Sequence, residues 1–491
     1  RQNFCQRKEV KAMNRELSDI IAMVEAGQLD LILQAAQEIE EAWLRSWVLR
    51  DIAKAMAEAG QFDRALQAAQ RIEYASDRSE AFTEVAIAMA KAGQTEEANQ
   101  AFQFALQAAQ KLEDAWGRSW TLREIAEATA KAGQFDLALQ TAQKIEVAEF
   151  RSWALCDIAE AMAEAGQFDH AFQAAQKIED AKDRSQALSG IAKALAEAGQ
   201  FDLALQIAQK IENESAGSWA LSDIARAMVE AGQFDRALQV AQKIESAWSR
   251  SWALTEVAAA MVKAGQTEEA NQVFQLALQT AQKIEDAEYR SEAFAEVAIA
   301  MAEAGQIDRA LQIAQKIEDT LERSYALEEI AAAMAKAGHF DRALQVAQKI
   351  ESPWYRSYAL AGVATAMAKV GQMERSNQVF QTALQAAQKI EDPLNRSYAF
   401  AEVAAVMAKA GQMEEANQAF QLALQTAQKI GNAKYHSYAL NYTSKALAQV
   451  GQIDRAVEVA EMIDDPIERL QALAAIIAAK QKAGKGEAGK E

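Results

Sequence analysis

The sequence has very few of the residues that build disulfide-bonded, metal-binding or membrane-spanning proteins. It contains two cysteines, Cys5 and Cys156, and three histidines in 491 residues. Neither a disulfide framework nor a metal site of histidines and cysteines is therefore predicted. No run of about 18 apolar residues occurs, so no transmembrane helix is predicted. Since so few cysteines indicate a reducing compartment, we expect a cytoplasmic protein without membrane contact.

Proline and positive charge are also scarce. Three prolines, together with abundant alanine, glutamine, glutamate and lysine, indicate a helical chain. The net charge of −19 argues against a nucleic-acid partner, because a surface that neutralises phosphates must be basic. It suits a partner of basic or mixed character. Because the first residue is Arg1, not methionine, we expect a piece of a longer protein or a processed product.

The sequence also lacks the motifs of common catalytic sites. It has no Gly-rich phosphate loop, no dinucleotide fingerprint and no nucleophile elbow. His170, His339 and His436 lie far apart and in unlike positions of the repeats described below. We therefore expect no enzyme activity, no cofactor and no metal.

An internal repeat is the strongest feature of the sequence. The tripeptide Ala-Gly-Gln, or a close variant, recurs with successive glycines 33 or 40 residues apart. Its glycines are Gly27, Gly60, Gly93, Gly133, Gly166, Gly199, Gly232, Gly265, Gly305, Gly338, Gly371, Gly411 and Gly451, and Gly484 follows without the glutamine. Such a regular period predicts a tandem-repeat protein.

Each repeat has two halves with helical periodicity. The first half, such as RSWALCDIAEAMAEAG at 151–166, has apolar residues at helical spacing and stops at a glycine, which ends helices in the left-handed conformation. The second half, such as QFDRALQAAQRIE at 61–73, has an apolar stripe of its own. Because neither stripe can be buried by one helix, successive pairs must stack. We predict an all-α fold, an α-solenoid of helix-turn-helix repeats with thirteen pairs and a final helix at about 467–483.

The repeat resembles the tetratricopeptide (TPR) repeat. The match is carried by Ala53 in the first helix and by Gly60, Phe62 and Ala65 around the second, and it recurs along residues 16–483. The family's early tryptophan and its tyrosine are replaced, for example by Leu49 and Met56. The resemblance implies a right-handed superhelix whose first helices line an inner groove. Pentatricopeptide and HEAT-like stacking are the alternatives, and the acidity disfavours the first because it binds RNA.

Four repeats have seven additional residues. These residues make nearly two helical turns, so the second helix lengthens by about 10 Å with its apolar face in register. In the third repeat the apolar series is Ala98, Phe102, Ala105, Ala109 and Leu112. We predict that repeats three, eight, eleven and twelve form ridges along one edge; duplication without a role is the alternative.

Charged residues recur as two ladders. One ladder is acidic: Asp51, Glu84, Glu124, Asp157, Asp223, Glu256, Glu296, Glu329 and Glu402. The other is basic: Arg45, Arg78, Arg118, Arg151, Arg184, Arg250, Arg290, Arg323, Arg356 and Arg396. We predict that the two ladders pair between repeats, which gives the carboxylates a structural role and not a catalytic one.

An aromatic stripe occupies one position near the start of the first helices. Its members, the candidate partner-binding residues, are Trp47, Trp120, Trp153, Trp219, Trp252, Tyr325, Tyr358, Tyr398 and Tyr438. Four further tryptophans stand four residues earlier: Trp43, Trp116, Trp248 and Trp354. Tryptophan and tyrosine dominate interface hot spots, yet large rings can also seal one repeat against the next. Both interpretations stay open, and of the pair Trp248 and Trp252 the second is the better candidate for partner contact.

These observations predict a protein–protein interaction scaffold. It would bind a peptide or helical segment of a partner protein in its concave groove, with the aromatic stripe as anchors. The alternative is a sensor or regulatory arm of a larger signalling enzyme whose catalytic domain lies outside this chain. We assign residues 1–15 to an N-terminal cap or leader, 16–483 to the repeats and 484–491 to a polar tail.

Overall fold

The computed structural model describes residue 39, residues 41–465 and the positions 468–469, 471–473, 475–476 and 479. The predicted segments 1–15 and 484–491, the first helical pair and most of the final helix lie outside these residues. Within the described residues the chain forms twenty-four α-helices with described bounds, part of a further helix beyond residue 465, and no strand. It divides into two compact units, the first ending at Ser249 and the second beginning at Arg250.

The twelve described repeats each contribute a first helix and a second helix. The first unit contains α1 (Ala42–Glu58), α2 (Phe62–Gln70), α3 (Ala75–Lys91), α4 (Thr95–Ala109), α5 (Ala115–Lys131), α6 (Phe135–Ala142), α7 (Ala148–Glu164), α8 (Phe168–Ala175), α9 (Ala181–Glu197), α10 (Phe201–Ala208), α11 (Glu214–Glu230) and α12 (Phe234–Ala241). The boundary between the units falls within α13 (Ala247–Lys263). The second unit continues with α14 (Thr267–Ala281), α15 (Ala287–Glu303), α16 (Ile307–Ala314), α17 (Thr320–Lys336), α18 (Phe340–Lys349), α19 (Pro353–Lys369), α20 (Met373–Ala387), α21 (Pro393–Lys409), α22 (Met413–Ala427), α23 (Ala433–Gln449) and α24 (Ile453–Glu461). The predicted all-α solenoid of helical pairs is confirmed.

The first helices end as the repeated glycine predicts. Gly60 has a φ of +74°, a left-handed conformation that costs residues with a Cβ more than it costs glycine. The amide of Gln61 donates to the carbonyl of Met56 at 2.8 Å, and the amide of Gly60 donates to that of Ala57 at 3.0 Å. These two bonds form a Schellman motif, which satisfies the last carbonyls of the helix and turns the chain toward the second helix.

The core is formed by small and branched apolar residues on the facing sides of each pair. Leu49, Ile52, Ala53 and Met56 of α1 are almost completely buried, and so is Ala65 of α2. Alanine at these positions lets helix axes approach closely, near the short end of the ~8–10 Å range for helix packing. The predicted apolar stripes of both helices are therefore the buried faces.

The long repeats differ from the short ones as predicted in the length of the second helix. Helix α4 has 15 residues, whereas α6 in the next repeat has 8. Phe102 of α4 is completely buried. In this long repeat the hydroxyl of Ser79 donates to the carbonyl of Ala105 at 2.9 Å, so the added turns lie beside the beginning of their own first helix. The predicted ridges along an edge stay a prediction.

The predicted pairing of the two charge ladders is wrong. The guanidinium group of Arg118 on α5 lies 2.7 Å from the carboxylate of Glu146, which follows α6 at the end of the same repeat, and not beside the acidic ladder. Arg151 repeats this arrangement with Glu179, and its Nη1 also donates to the carbonyl of Ile145 at 2.9 Å. Arginines of this ladder therefore connect a first helix both to the end of its own repeat, through the ion pair, and to the end of the preceding repeat, through the carbonyl. No described helix is both long and apolar enough to cross a membrane.

Candidate functional site

The aromatic stripe lies at the surface of the first helices. Within the described residues, no member is fully buried, and the exposed fraction is 41% for Trp120 and 53% for Trp219. Trp47, Trp153 and Trp252 are half-buried, and so are the four tyrosines of the stripe. Each ring is therefore only partly covered by the protein, and its exposed surface is available for contact with a partner.

The stripe rings contact aromatic rings of the next first helix. Trp120 of α5 lies 5.5 Å, centroid to centroid, from Phe150 of α7, in an edge-to-face arrangement. Tyr325 of α17 lies 6.2 Å from Tyr355 of α19. The same stripe residues therefore contribute both to the contact between repeats and to the exposed surface.

The four earlier tryptophans are not simply interior packing residues. Trp116 is 58% exposed, more than its stripe neighbour Trp120, although it also contacts Phe150 at 4.7 Å. Trp248 is half-buried and lies 6.0 Å from Trp219 in an edge-to-face arrangement. Trp248 and Trp252 are both half-buried, so burial does not favour Trp252 over Trp248 as the residue that contacts a partner.

The beginning of the first unit has an aromatic cleft. It encloses about 340 Å³ and is lined by Trp43, Trp47, Tyr74 and Asp77. Trp43 and Tyr74 are exposed, while Trp47 is half-buried. A cleft of this composition offers ring faces and one carboxylate to a visiting side chain.

Cations of the first unit lie between its carboxylates. The guanidinium group of Arg50 on α1 lies 3.1 Å from Asp51, 3.6 Å from Asp77 and 3.0 Å from Glu80. Lys54, one turn further along α1, lies 3.1 Å from Glu84 of α3. The acidic ladder is therefore neutralised here by cations from the same surface.

The arrangement recurs two first helices later. The guanidinium group of Arg123 lies 2.9 Å from Asp157 of α7 and 5.7 Å from the centroid of the Trp120 ring. The indole N–H of Trp120 donates to Glu124, whose pKa is nevertheless raised by burial and by the charge of Glu80. Ring, carboxylate and cation thus form one cluster.

The second unit has carboxylates at the same repeat positions but different neighbours. In the described residues no lysine or arginine lies within 4 Å of the carboxylates of Glu296, Glu322, Glu328 or Glu329. Burial raises the pKa of Glu296, and further carboxylates, among them Glu292 and Glu322, raise it more. We call Glu292, Glu296, Glu322, Glu328 and Glu329, together with Tyr325, the acidic surface of α15 and α17.

Glu328 has the most strongly shifted carboxylate of this surface. Burial, and then the charge of Glu329, raises its pKa to about 7. Burial raises the pKa values of the phenols of Tyr325, Tyr355 and Tyr358, and the charge of Glu328 adds a smaller increase to each. A carboxylate that titrates near neutrality is a candidate functional group, although desolvation alone produces such a shift.

A hydrogen-bonded chain lies further along the second unit. The phenol of Tyr442 donates to Glu402 at 2.8 Å, and Tyr358 is hydrogen-bonded to Tyr442. Burial raises the pKa values of both phenols. Glu402 of the acidic ladder therefore has a partner within its own surface.

The remaining candidates are groups that could hold a metal ion and the Cys156 thiol. No group of three or more histidine, cysteine or carboxylate residues in the described part of the chain is arranged to hold a metal ion. The Cys156 thiol is half-buried and donates to the carbonyl of Asp183 at 3.3 Å. Burial and nearby carboxylates raise its pKa to about 12, so it is a poor nucleophile.

Sequence reasoning missed the residues that the stripe contacts. Phe150, Tyr355 and Tyr289 occupy a shared position, three residues before the stripe, and Tyr435 does so near the end of the array. Phe150 is buried between Trp116, Trp120 and Trp153. The recurrence of aromatic residues at that position was the available signal.

Comparisons with known proteins give no family assignment. No model of a protein family matches the chain, and no curated protein matches it. Among solved structures, the chain is similar to Ton1535 from Thermococcus onnurineus NA1, with 20% identity over 71% of this chain and 99% of that one and a TM-score of 0.27. It is also similar to a structure of Naa15/Naa10 bound to HypK-THB, with 14% identity over 97% of this chain and 80% of that one and a TM-score of 0.34. A circular tandem repeat protein follows with 12% identity, coverage of 96% and 95%, and a TM-score of 0.16. The case for function therefore rests on the geometry of this chain.

Proposed function

We propose that this helical-repeat protein is an interaction scaffold that binds segments of partner proteins on the surface of its first helices. The observation that carries the proposal is the recurrence of half-exposed tryptophan and tyrosine rings at one repeat position within each unit. Such rings give a large contact area at a small cost in side-chain entropy, because only two torsions are fixed. Their packing on the next first helix holds them in place before a partner arrives, which lowers that cost further.

The proposal extends to the class of repeat. Two observations support the tetratricopeptide class: Ala53 and Ala65 are buried between the paired helices, and Gly60 makes the turn between them. A groove lined by first helices is what this class would supply, and an extended or helical peptide is the occupant that such grooves take.

A binding role without catalysis accounts best for the polar groups. The carboxylates of the first unit are neutralised by Arg50, Lys54 and Arg123, and the Cys156 thiol is protonated and half-buried. Neither arrangement supplies a nucleophile beside a base. The regulatory arm of a signalling enzyme stays the alternative, and the full open reading frame tests it.

The test is capture of partners by cross-linking in native lysate, using the chain and a variant in which Trp120, Trp153, Trp219 and Trp252 are changed to alanine. The matched control changes four exposed apolar residues away from the stripe to alanine. These are Leu203, Met373, Met413 and Met462. We expect the stripe variant to lose partners that the control retains, with both variants helical by circular dichroism.

Retention of the same partners by a folded stripe variant would contradict the proposal. If the stripe variant unfolds, hydroxyl-radical footprinting of the unaltered chain with and without a captured partner replaces it. Protection of the stripe rings then supports the proposal, and unchanged reactivity of these rings removes it.

A further inference from the structure

We propose that the acidic surface of α15 and α17 binds a lysine- or arginine-rich segment of a partner protein, whose cations take the places that Arg50 and Lys54 hold between α1 and α3. The inference rests on the proposed function and adds the chemistry of the partner at one part of the first-helix surface.

The first step is a comparison of equivalent repeat positions. Asp51, Asp77 and Glu84 of the first unit correspond to Glu296, Glu322 and Glu329 of the second, which stand at the same repeat positions. In both pairs the second helix that lies between the two first helices in sequence is short, with 9 and 8 residues. The same three carboxylates therefore recur on the same scaffold.

The second step concerns the cations. Arg50 and Lys54, which contact those carboxylates in the first unit, are replaced by Ala295 and Ile299 in the second. Ala295 is buried and Ile299 is half-buried. The first unit thus shows where cations fit between these carboxylates. The second unit has the equivalent carboxylates but not the equivalent cations.

The third step is electrostatic. Burial raises the pKa of Glu296 most, and the charges of Glu292, Glu322, Glu256 and Glu329 each raise it further, so each of them is close enough to repel Glu296. Among the described residues, no cationic side chain lies within 4 Å of Glu296, Glu322 or Glu329. A cation from outside relieves this repulsion and steers a basic partner toward the surface.

A polypeptide fits this surface better than a metal ion does. The carboxylates are spread over two helices and do not converge as metal ligands do. Tyr325 is half-buried beside them, and its ring and that of Tyr355 offer faces to an ammonium or guanidinium group. Several cations on one flexible chain match several carboxylates and a ring.

The experiment measures fluorescence anisotropy of a labelled oligolysine peptide with the full chain, with labelled oligoglutamate as the negative probe. Ala295→Arg combined with Ile299→Lys copies the cations of the first unit into the surface. We expect this variant to weaken oligolysine binding by about tenfold or more, because the surface becomes internally neutralised. The charge-matched control, Gln312→Lys with Gln315→Arg, adds the same charges at exposed positions of the adjacent second-helix segment and is expected to bind nearly as the original chain does.

The reciprocal exchange strengthens the test. Arg50→Ala with Lys54→Ile removes the internal cations between α1 and α3 and is expected to create a further oligolysine site, seen as a higher stoichiometry. If the graft into α15 fails to fold, Glu296→Gln with Glu329→Gln replaces it, and Asp235→Asn with Glu245→Gln is its exposed, charge-matched control.

Absence of oligolysine binding at low salt overturns the inference. Equal weakening by a surface variant and its charge-matched control also overturns it, because the binding would then be diffuse attraction to an acidic chain. Equal displacement of oligolysine by magnesium at matched charge overturns it as well, since a metal would then suffice. If oligolysine does not bind while captured partners still depend on the tryptophans of the stripe, this inference fails and the proposed function stands.

Discussion

The pairs α1–α3 and α15–α17 are two versions of one surface. Both have carboxylates at the same repeat positions, yet only the first pair has Arg50 and Lys54 between them. One repeat of the protein thus serves as a reference for another, because it shows the same set of carboxylates when cations of the chain neutralise them. The difference teaches that a carboxylate ladder cannot be interpreted as one feature. In each repeat the neighbouring side chains determine whether the carboxylate is paired within the protein or can bind a cation of a partner.

The largest expected effect concerns the pH dependence of the second version. Glu328 has a folded-state pKa of about 7, above the ordinary value of 4.5, because of burial and Glu329. Its contribution to stability is therefore complete below pH 4.5 and is lost as the pH rises through 7. We expect the opening free energy of α17, measured by hydrogen exchange corrected for intrinsic rates, to fall by roughly 2 kcal/mol between pH 5 and pH 8.

The control for this prediction is a pair of substitutions. Glu328→Gln is expected to remove most of the fall, whereas Glu303→Gln, at an exposed carboxylate of α15, is expected to leave it. The other groups that face Glu328 are the phenols of Tyr325, Tyr355 and Tyr358, whose pKa values are raised and which stay protonated in this range. An unchanged fall in the Glu328 variant would assign the pH dependence to other residues.

The next largest effect is expected from a substitution that makes the surface of α1 and α3 resemble that of α15 and α17. Arg50→Met keeps much of the side-chain volume but leaves Asp51, Asp77 and Glu80 without their shared cation. We expect a loss of about 1–2 kcal/mol in the opening free energy of α1 and α3, more than an isolated surface pair contributes, because three carboxylates share one guanidinium group. Arg64→Met on α2 is the control, and an equal loss there would show that any arginine of this unit matters as much.

Several features of this comparison could be predicted from sequence, and others could not. The end of α1 at Gly60 and the burial of Ile52 and Met56 follow from local backbone preference and helical period, which sequence records directly. The partner of Arg118 could not be predicted, since each repeat has carboxylates at several positions and spacing alone does not give the distance between helices. Glu146 is selected only when the end of a repeat packs on the first helix of that same repeat. The half-exposure of Trp120 has the same origin, because Phe150 arrives from the following repeat.

A smaller effect separates two glycines at the same repeat position, one in each unit. A Cβ added to Gly362 of α19 would meet nothing within 4 Å, whereas one added to Gly190 of α9 would lie 2.9 Å from Cγ of Glu160. Gly362→Ala is therefore expected to stabilise its helix by about 0.5–1 kcal/mol through the entropy of the unfolded chain. Gly190→Ala is expected to gain less or nothing, because the Glu160 side chain must move. Hydrogen exchange of α19 and α9 checks both, and equal gains would show that Glu160 adapts without cost.

The smallest effect is the response of the two versions to salt. Raising the sodium chloride concentration screens attraction between Arg50 and its carboxylates, and it equally screens repulsion among Glu296, Glu322 and Glu329. The opening free energy should fall by a few tenths of a kcal/mol in α1 and α3 and rise by a similar amount in α15 and α17, because partly exposed charges respond weakly. Hydrogen exchange at low and high salt measures both regions in one sample, so each is the control for the other. A shift of the same sign in both would mean that salt acts on the whole chain and that the two surfaces do not differ in their charge balance. Shifts of opposite sign would show that the substitution of Arg50 and Lys54 by Ala295 and Ile299 changes the sign of the local electrostatic free energy while the helical scaffold stays the same.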